Sequence, residues 1–174
     1  MIRFNFSLVL IFMIMGCGTP GEEIEDDKND TFNQELLGYW TLAEGTSFAI
    51  NDKGVQITTA TLKPNTFAHE FFANGTTIGY DLTGHLPKEE YKWELVVRQN
   101  DVKDIEEGTL SFWNETTKQQ AGELFFDSDG RINYSITSLH KFSLTGKSRI
   151  YLKTKKYEAY PYKENWVELV YEKK

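Results

Sequence analysis

The chain of 174 residues contains one cysteine, Cys17, and only four prolines. A lone cysteine cannot form an internal disulfide, so the fold must rest on its apolar core. Positive charge is also scarce. Nineteen basic residues stand against twenty-six acidic ones, a net charge of −7. With no basic patch to meet phosphates, nucleic acid is excluded as a partner, and electrostatic attraction to anionic lipid is disfavoured. No apolar run approaches the roughly 20 residues of a membrane-spanning helix.

Signatures of chemistry are equally sparse. There is no Gly-x-Ser-x-Gly elbow and no phosphate-binding loop. His69, His85 and His140 are far apart, and none has a histidine or cysteine at metal-ligand spacing. All three read as isolated polar or surface residues. Glu89–Glu90 and Glu106–Glu107 are neighbours whose side chains diverge on a strand, so they do not form a glycosidase pair. Asp127-Ser128-Asp129-Gly130 begins like a calcium loop, but its twelfth position is Ser138 rather than Glu. It reads as a hairpin turn. These absences point away from an enzyme and imply no metal and no cofactor.

The N-terminus is more informative. Arg3 gives a positive start, Leu8 to Met15 an apolar stretch, and Ile14-Met15-Gly16-Cys17 a small residue followed by the cysteine. That order is the pattern of a secretory signal, here residues 1–16. A small residue directly before a lone cysteine resembles the lipobox of bacterial lipoproteins. The resemblance implies that the Cys17 thiol takes a diacylglycerol, the signal is cut before it and the new amine is acylated. The membrane partner is then the covalent lipid. The location is the cell envelope, on the outer membrane of a Gram-negative bacterium.

Residues 17–30 lack apolar periodicity and carry Glu22, Glu23, Glu25, Asp26, Asp27 and Asp30 against Lys28 alone. Such a segment cannot bury enough surface to offset its ordering entropy, so it reads as a flexible acidic linker. Its early acidic residues resemble the export tag of surface-exposed lipoproteins in some Gram-negative lineages; a plain solvated spacer is the other reading. The domain is expected over 31–174. It opens with a capping box, Thr31 to Gln34, and a short helix that Gly38 ends.

From Tyr39 onward the dominant period is two. Tyr91, Trp93, Leu95 and Val97 alternate with Lys92, Glu94, Val96 and Arg98; Ile132, Tyr134 and Ile136 with Asn133, Ser135 and Thr137; and Val167, Leu169 and Tyr171 with Trp166, Glu168, Val170 and Glu172. Alternation signals antiparallel strands with one face on the core. Asn74-Gly75 and the Asp127–Gly130 stretch supply turns. The spacing predicts strands near 39–44, 46–51, 55–61, 67–73, 77–82, 90–98, 108–114, 120–126, 131–137, 148–154 and 165–172. Some of these merge, giving about eight to ten strands. The fold class is all-β, an antiparallel up-and-down barrel with a short N-terminal helix.

The sequence Leu36-Leu37-Gly38-Tyr39-Trp40, the hairpin Phe71-Phe72-Ala73-Asn74-Gly75-Thr76-Thr77 and the final strand Trp166 to Lys173 resemble lipocalin-like domains, specifically the compact modules of bacterial lipoproteins. The resemblance implies that Trp40 plugs the closed end of the barrel beneath a basic side chain from a late strand. Arg149 is the first choice for that cation and Lys147 the second.

The alternating apolar set includes Phe67, Phe71, Tyr91, Trp93, Leu95, Phe112, Phe126, Tyr134 and Tyr171. These residues line the barrel interior, either as a packed core or around a cavity for a small apolar or amphipathic ligand. Pro161 bars Tyr157 to Tyr162 from a central strand, so this segment is expected as a loop. Its tyrosines Tyr157, Tyr160 and Tyr162 suit recognition of a protein or glycan, or packing over the barrel end. Two functions follow: a lipid-anchored, non-enzymatic binder of a small ligand, or a filled barrel that binds partners through its loops.

Overall fold

The computed structural model describes residues 32–100, 104–121, 127–140 and 144–174. The signal, Cys17, the linker, Thr31 and Phe126 lie outside the described residues. The first element is a short helix, α1, over residues 32–36. Ten strands follow: β1 (Gly38–Ile50), β2 (Gln56–Leu62), β3 (Phe67–Phe71), β4 (Thr76–Asp81), β5 (Glu89–Asn100), β6 (Asp104–Trp113), β7 (Ile132–His140), β8 (Arg149–Thr154), β9 (Tyr157–Ala159) and β10 (Tyr162–Lys173). A second short helix, α2 (Glu115–Gln119), lies between β6 and β7.

The expected antiparallel barrel is present. Eight strands follow one another in the order β1-β3-β4-β5-β6-β7-β8-β10, and β10 pairs back onto β1 to close the ring. Residues 39–51, expected as two strands, are one long strand, because Gly45 and Thr46 stay within the ladder to β10. The strand expected near 120–126 lies largely outside the described residues, and the connection before it, residues 115–119, forms α2. Asn114 dictates this locally. Its side chain accepts from the Thr117 N–H, and the Thr117 hydroxyl accepts from the Asn114 N–H, a reciprocal cap that starts a helix.

β2 and β9 stand outside the ring. β3 pairs with Gly38–Thr41 of β1, and β2 continues along the same edge against Gly45–Ile50. At the join Asn65 takes a φ of 57° and donates its N–H to the Leu42 carbonyl at 2.8 Å. β8 and β9 share one edge of β10 in the same tandem way. The far halves of β1 and β10 therefore run on as a four-stranded flap, β2-β1-β10-β9. Since β2 bonds only to β1 and β9 only to β10, the wall is incomplete beside the flap.

Pro161 sits in the turn of a hairpin rather than in a loop: Tyr157 belongs to β9 and Tyr162 opens β10. The buried Asn165 amide spans this hairpin, donating toward the carbonyls of Tyr157, Ala159 and Tyr162 at 3.3–3.4 Å. Of the three tyrosines, only Tyr160 stands fully in solvent.

The opposite end is closed by α1. Phe32 and Leu36 are buried in one core cluster with Trp40, Leu42, Phe71, Leu110, Phe112, Ile136 and Ile150. Burying each such side chain contributes about 1.5–3 kcal/mol. The helix ends at Gly38, whose φ of 104° turns the chain abruptly into β1. A helix end leaves carbonyls without partners. Here core side chains supply them: Trp40 Nε1 donates to the Leu36 carbonyl at 2.7 Å, and Lys173 Nζ to the Glu35 carbonyl at 2.7 Å.

The expected cation over Trp40 is therefore Lys173, with Nζ 5.7 Å from the ring centroid, and not Arg149. Trp40 and Lys173 are cross-strand partners in the β1–β10 ladder. Arg149 instead pairs with Glu172 at 3.0 Å and Glu44 at 3.8 Å, and Lys147 also reaches Glu172, at 3.6 Å. The reason is register: Arg149 pairs with Glu172, one position from Lys173, and so projects from the other face of the sheet. We expect Lys173→Met to cost about 1–2 kcal/mol, from one charged hydrogen bond and one cation–π contact. Lys147→Met should stay within about 0.5 kcal/mol, as for other exposed positions. Urea denaturation of the two variants measures both.

Candidate functional site

The unfinished wall beside the flap opens into a cavity of about 390 Å³ at the end opposite α1. Its walls come from six strands of the ring and the end of β2. Phe67, Ala68 and His69 arise from β3, Gly79 to Asp81 from β4, Tyr91 from β5, Tyr134 from β7, Thr154 from β8, and Val167, Leu169 and Tyr171 from β10. Leu62 of β2 completes one side, and Leu86 and Pro87 stand at the mouth. A volume of this order suits a small organic ligand. Beneath it lies a void of only about 20 Å³, enough for one water, between Trp40, Phe71, Leu110 and Phe112. The barrel is thus packed at its closed end and open at the other.

This geometry divides the residues expected to line a cavity. Phe67, Tyr91, Tyr134 and Tyr171 reach it. Phe71 and Phe112 lie deeper, around the small void. Trp93 and Leu95 belong to the packed core: Leu95 is buried, and Trp93 meets Phe71 edge-on while its Nε1 donates to the Thr76 carbonyl. All keep the alternation read from the sequence. They differ in height along the barrel, which period two does not encode.

His69 was expected to be an isolated polar residue and is not. It borders both the cavity and the void beneath. Its ring stacks on Phe112, with centroids 5.3 Å apart and planes 16° apart, and meets Tyr171 edge-on at 5.5 Å. Its Nδ1 is buried without a hydrogen-bond partner. Desolvation pushes its pKa from 6.5 down to about 4, so the ring is neutral at physiological pH. The only cue in the sequence was phase: His69 lies two residues from Phe67 and two from Phe71, on the inward side of β3.

Burial raises the Tyr134 and Tyr171 hydroxyls as well, and in Tyr171 the neighbouring Tyr134 adds to the effect. Both stay protonated. Among the described residues no lysine or arginine lines the cavity. Charge occurs in Asp81 and Glu89. The Asp81 carboxylate accepts from the Thr83 hydroxyl and from the N–H groups of Thr83, His85 and Leu86. These bonds hold it below the usual carboxylate range and shape the loop that carries Leu86 to the mouth. Glu89 accepts the Tyr91 hydroxyl.

The Asp127 carboxylate is occupied by the N–H groups of Asp129 and Arg131 and by the Asn133 amide, as the hairpin-turn reading requires. Among the described residues no cluster of three His, Cys, Asp or Glu side chains is placed to hold a metal ion.

A buried neutral histidine couples stability to pH. Its pKa is lower in the folded state than in the unfolded one, so below about 6.5 the unfolded chain binds a proton that the fold refuses until about 4. Stability is therefore full above that window and falls as the pH drops through it. Between pH 7 and about 4.5, we expect this to cost wild type about 2–3 kcal/mol more than His69→Phe. Urea melts of both proteins at the two pH values measure the difference, and carboxylate contributions cancel in the comparison. No protein-family model, no curated protein and no solved structure matches this chain.

Proposed function

We propose that this protein holds a small apolar or amphipathic ligand at the open end of its barrel, without chemical turnover. The cavity carries the reading: about 390 Å³, walled by Phe67, Tyr91, Tyr134, Leu169 and Tyr171, above a closely packed core. Burial of such aromatic surface drives the binding of apolar molecules. We place the protein in the cell envelope of a Gram-negative bacterium, tethered to the outer membrane through a lipid on Cys17, in the manner of lipoproteins with lipocalin-like domains. The pattern ending in Gly16-Cys17 and the acidic linker behind it support that placement.

The alternative, recognition through a tyrosine loop, has less support. Tyr157 and Tyr162 are half-buried strand residues, so the three tyrosines do not present one exposed patch.

Gly79 provides the test of the binding reading. A Cβ there would meet the His69 and Tyr91 rings at 3.5 and 3.6 Å and the Glu89 carbonyl oxygen at 3.8 Å, all ordinary contacts, so a side chain added at this lining position takes up space beside the rings that wall the cavity. We expect Gly79→Ile to fold and to lose at least about ten-fold in affinity for naphthalene, as expected when the volume needed by the ligand is filled. Unchanged affinity in a folded variant would rule the cavity out as the binding site. For the anchor, Cys17→Ser should abolish incorporation of radiolabelled palmitate in cells and release the chain from the membrane fraction. Persistent labelling would overturn lipidation at this residue.

A further inference from the structure

The floor of the cavity is polar without being charged, and this restricts what can occupy it. His69, Tyr134 and Tyr171 come from three strands, β3, β7 and β10, and border the cavity together. Phe112 lies beneath them, with ring centroids 5.3 Å from His69 and 5.8 Å from Tyr134. The His69 ring touches Tyr171 directly. Its Nδ1 has no partner in the fold. A buried polar atom left unpaired opposes folding, and native interiors rarely keep one. An aromatic residue at the same height would stack on Phe112 equally well, so packing alone does not call for an imidazole. Its retained cost is explained if a ligand supplies the missing partner.

We propose that the ligand is an uncharged amphiphile, with an apolar body filling the mouth and one neutral hydrogen-bonding group, such as a hydroxyl or amide, seated against His69, Tyr134 and Tyr171. The inference rests on the binding reading above and adds the chemical class. Three observations oppose a carboxylate or phosphate. Among the described residues no lysine or arginine lines the cavity. The imidazole is held neutral by its own burial and offers no counter-charge. The cavity wall also carries the carboxylates of Asp81 and Glu89, which repel an anion. An anion seated at this depth would be desolvated without a cationic partner, which is strongly unfavourable. A wholly apolar ligand would leave the imidazole unpaired, and a site built for a hydrogen bond discriminates against a ligand that lacks one.

Three probes of matched shape separate these possibilities: naphthalene, naphthylmethanol and naphthoate. Each is equilibrated by dialysis at pH 7 with the full chain in lipid nanodiscs, empty nanodiscs serving as blank. We expect wild type to take naphthylmethanol at least about ten-fold more tightly than naphthoate. Water favours the alcohol over the hydrocarbon, so the informative quantity is the alcohol-to-naphthalene affinity ratio and its change on mutation. That ratio should fall about five- to ten-fold in His69→Phe, the size of one net hydrogen bond. Tyr171→Phe and Tyr134→Phe, which remove a hydroxyl and keep the ring, should lower the same ratio and guard against a misfolded His69 variant. If naphthalene binds but the ratio is unchanged in all three variants, the polar floor is unused and this inference fails while the binding reading stands. Tightest binding by naphthoate would refute the exclusion of anions. If none of the probes binds, both readings fall.

Discussion

The structure depends on the seam between its first and last strands. β1 and β10 pair from Trp40↔Lys173 at the closed end to Ile50↔Glu164 in the flap. A meander of antiparallel strands that stops short of this pairing leaves two long edges exposed. Closure removes them, and it is locked where Trp40 and Lys173 meet. The indole and the ammonium each cap a carbonyl of α1, and the ammonium also lies over the indole face. One cluster thus joins the helix, the first strand and the last strand. Burial lowers the Lys173 pKa, and the Glu35 carboxylate opposes that shift. The cation is partly desolvated, which strengthens its attraction to ring and carbonyl.

The seam also explains the open end. β1 and β10 have 13 and 12 residues, longer than the 5 or 6 of β3, β4 and β8. Their excess length cannot be paired by the ring and is paired by β2 and β9 instead. That excess forms the flap, steadied by Phe48 stacked on Trp166 at 5.4 Å and by Lys153 and Lys156 over the indole. The wall is left incomplete beside it. Strand-length mismatch, rather than any special residue, produces the cavity. The same barrel is therefore rigid where α1 plugs it and accessible where the flap departs.

Much of the fold was legible because strands carry a strong local code. The alternation around Tyr91–Val97, Ile132–Ile136 and Val167–Tyr171, with Asn74-Gly75 between strands, identifies antiparallel pairs from neighbours in sequence alone. Gly38 was recognisable as the helix end because a switch from helix to strand requires a residue tolerant of positive φ. Where local cues competed, reading failed. Asn114 and Thr117 cap a helix in the connection between two expected strands, where the sequence reading placed no element. Pro161 excluded a central strand correctly, but a three-residue edge strand tolerates a proline in its adjoining turn.

By itself the sequence determined which side chains face inward, since period two assigns Phe67, His69 and Phe71 to one side of β3 whatever surrounds it. It also determined that the core must be stabilised without disulfides. Tertiary structure alone decided the height of each inward residue along the barrel. Height separates the cavity residues Phe67, Tyr91, Tyr134 and Tyr171 from the core residues Trp93 and Leu95. It also decided that Lys173 rather than Arg149 covers Trp40, because inter-strand register selects one cation and a shift of one residue reverses the face. The chemical character of His69 was settled in the same way. A histidine in sequence is a titratable polar residue; half-buried and stacked on Phe112, it becomes a neutral ring whose Nδ1 has an unanswered hydrogen bond. Burial depends on strands distant in sequence, and no local pattern carries that information.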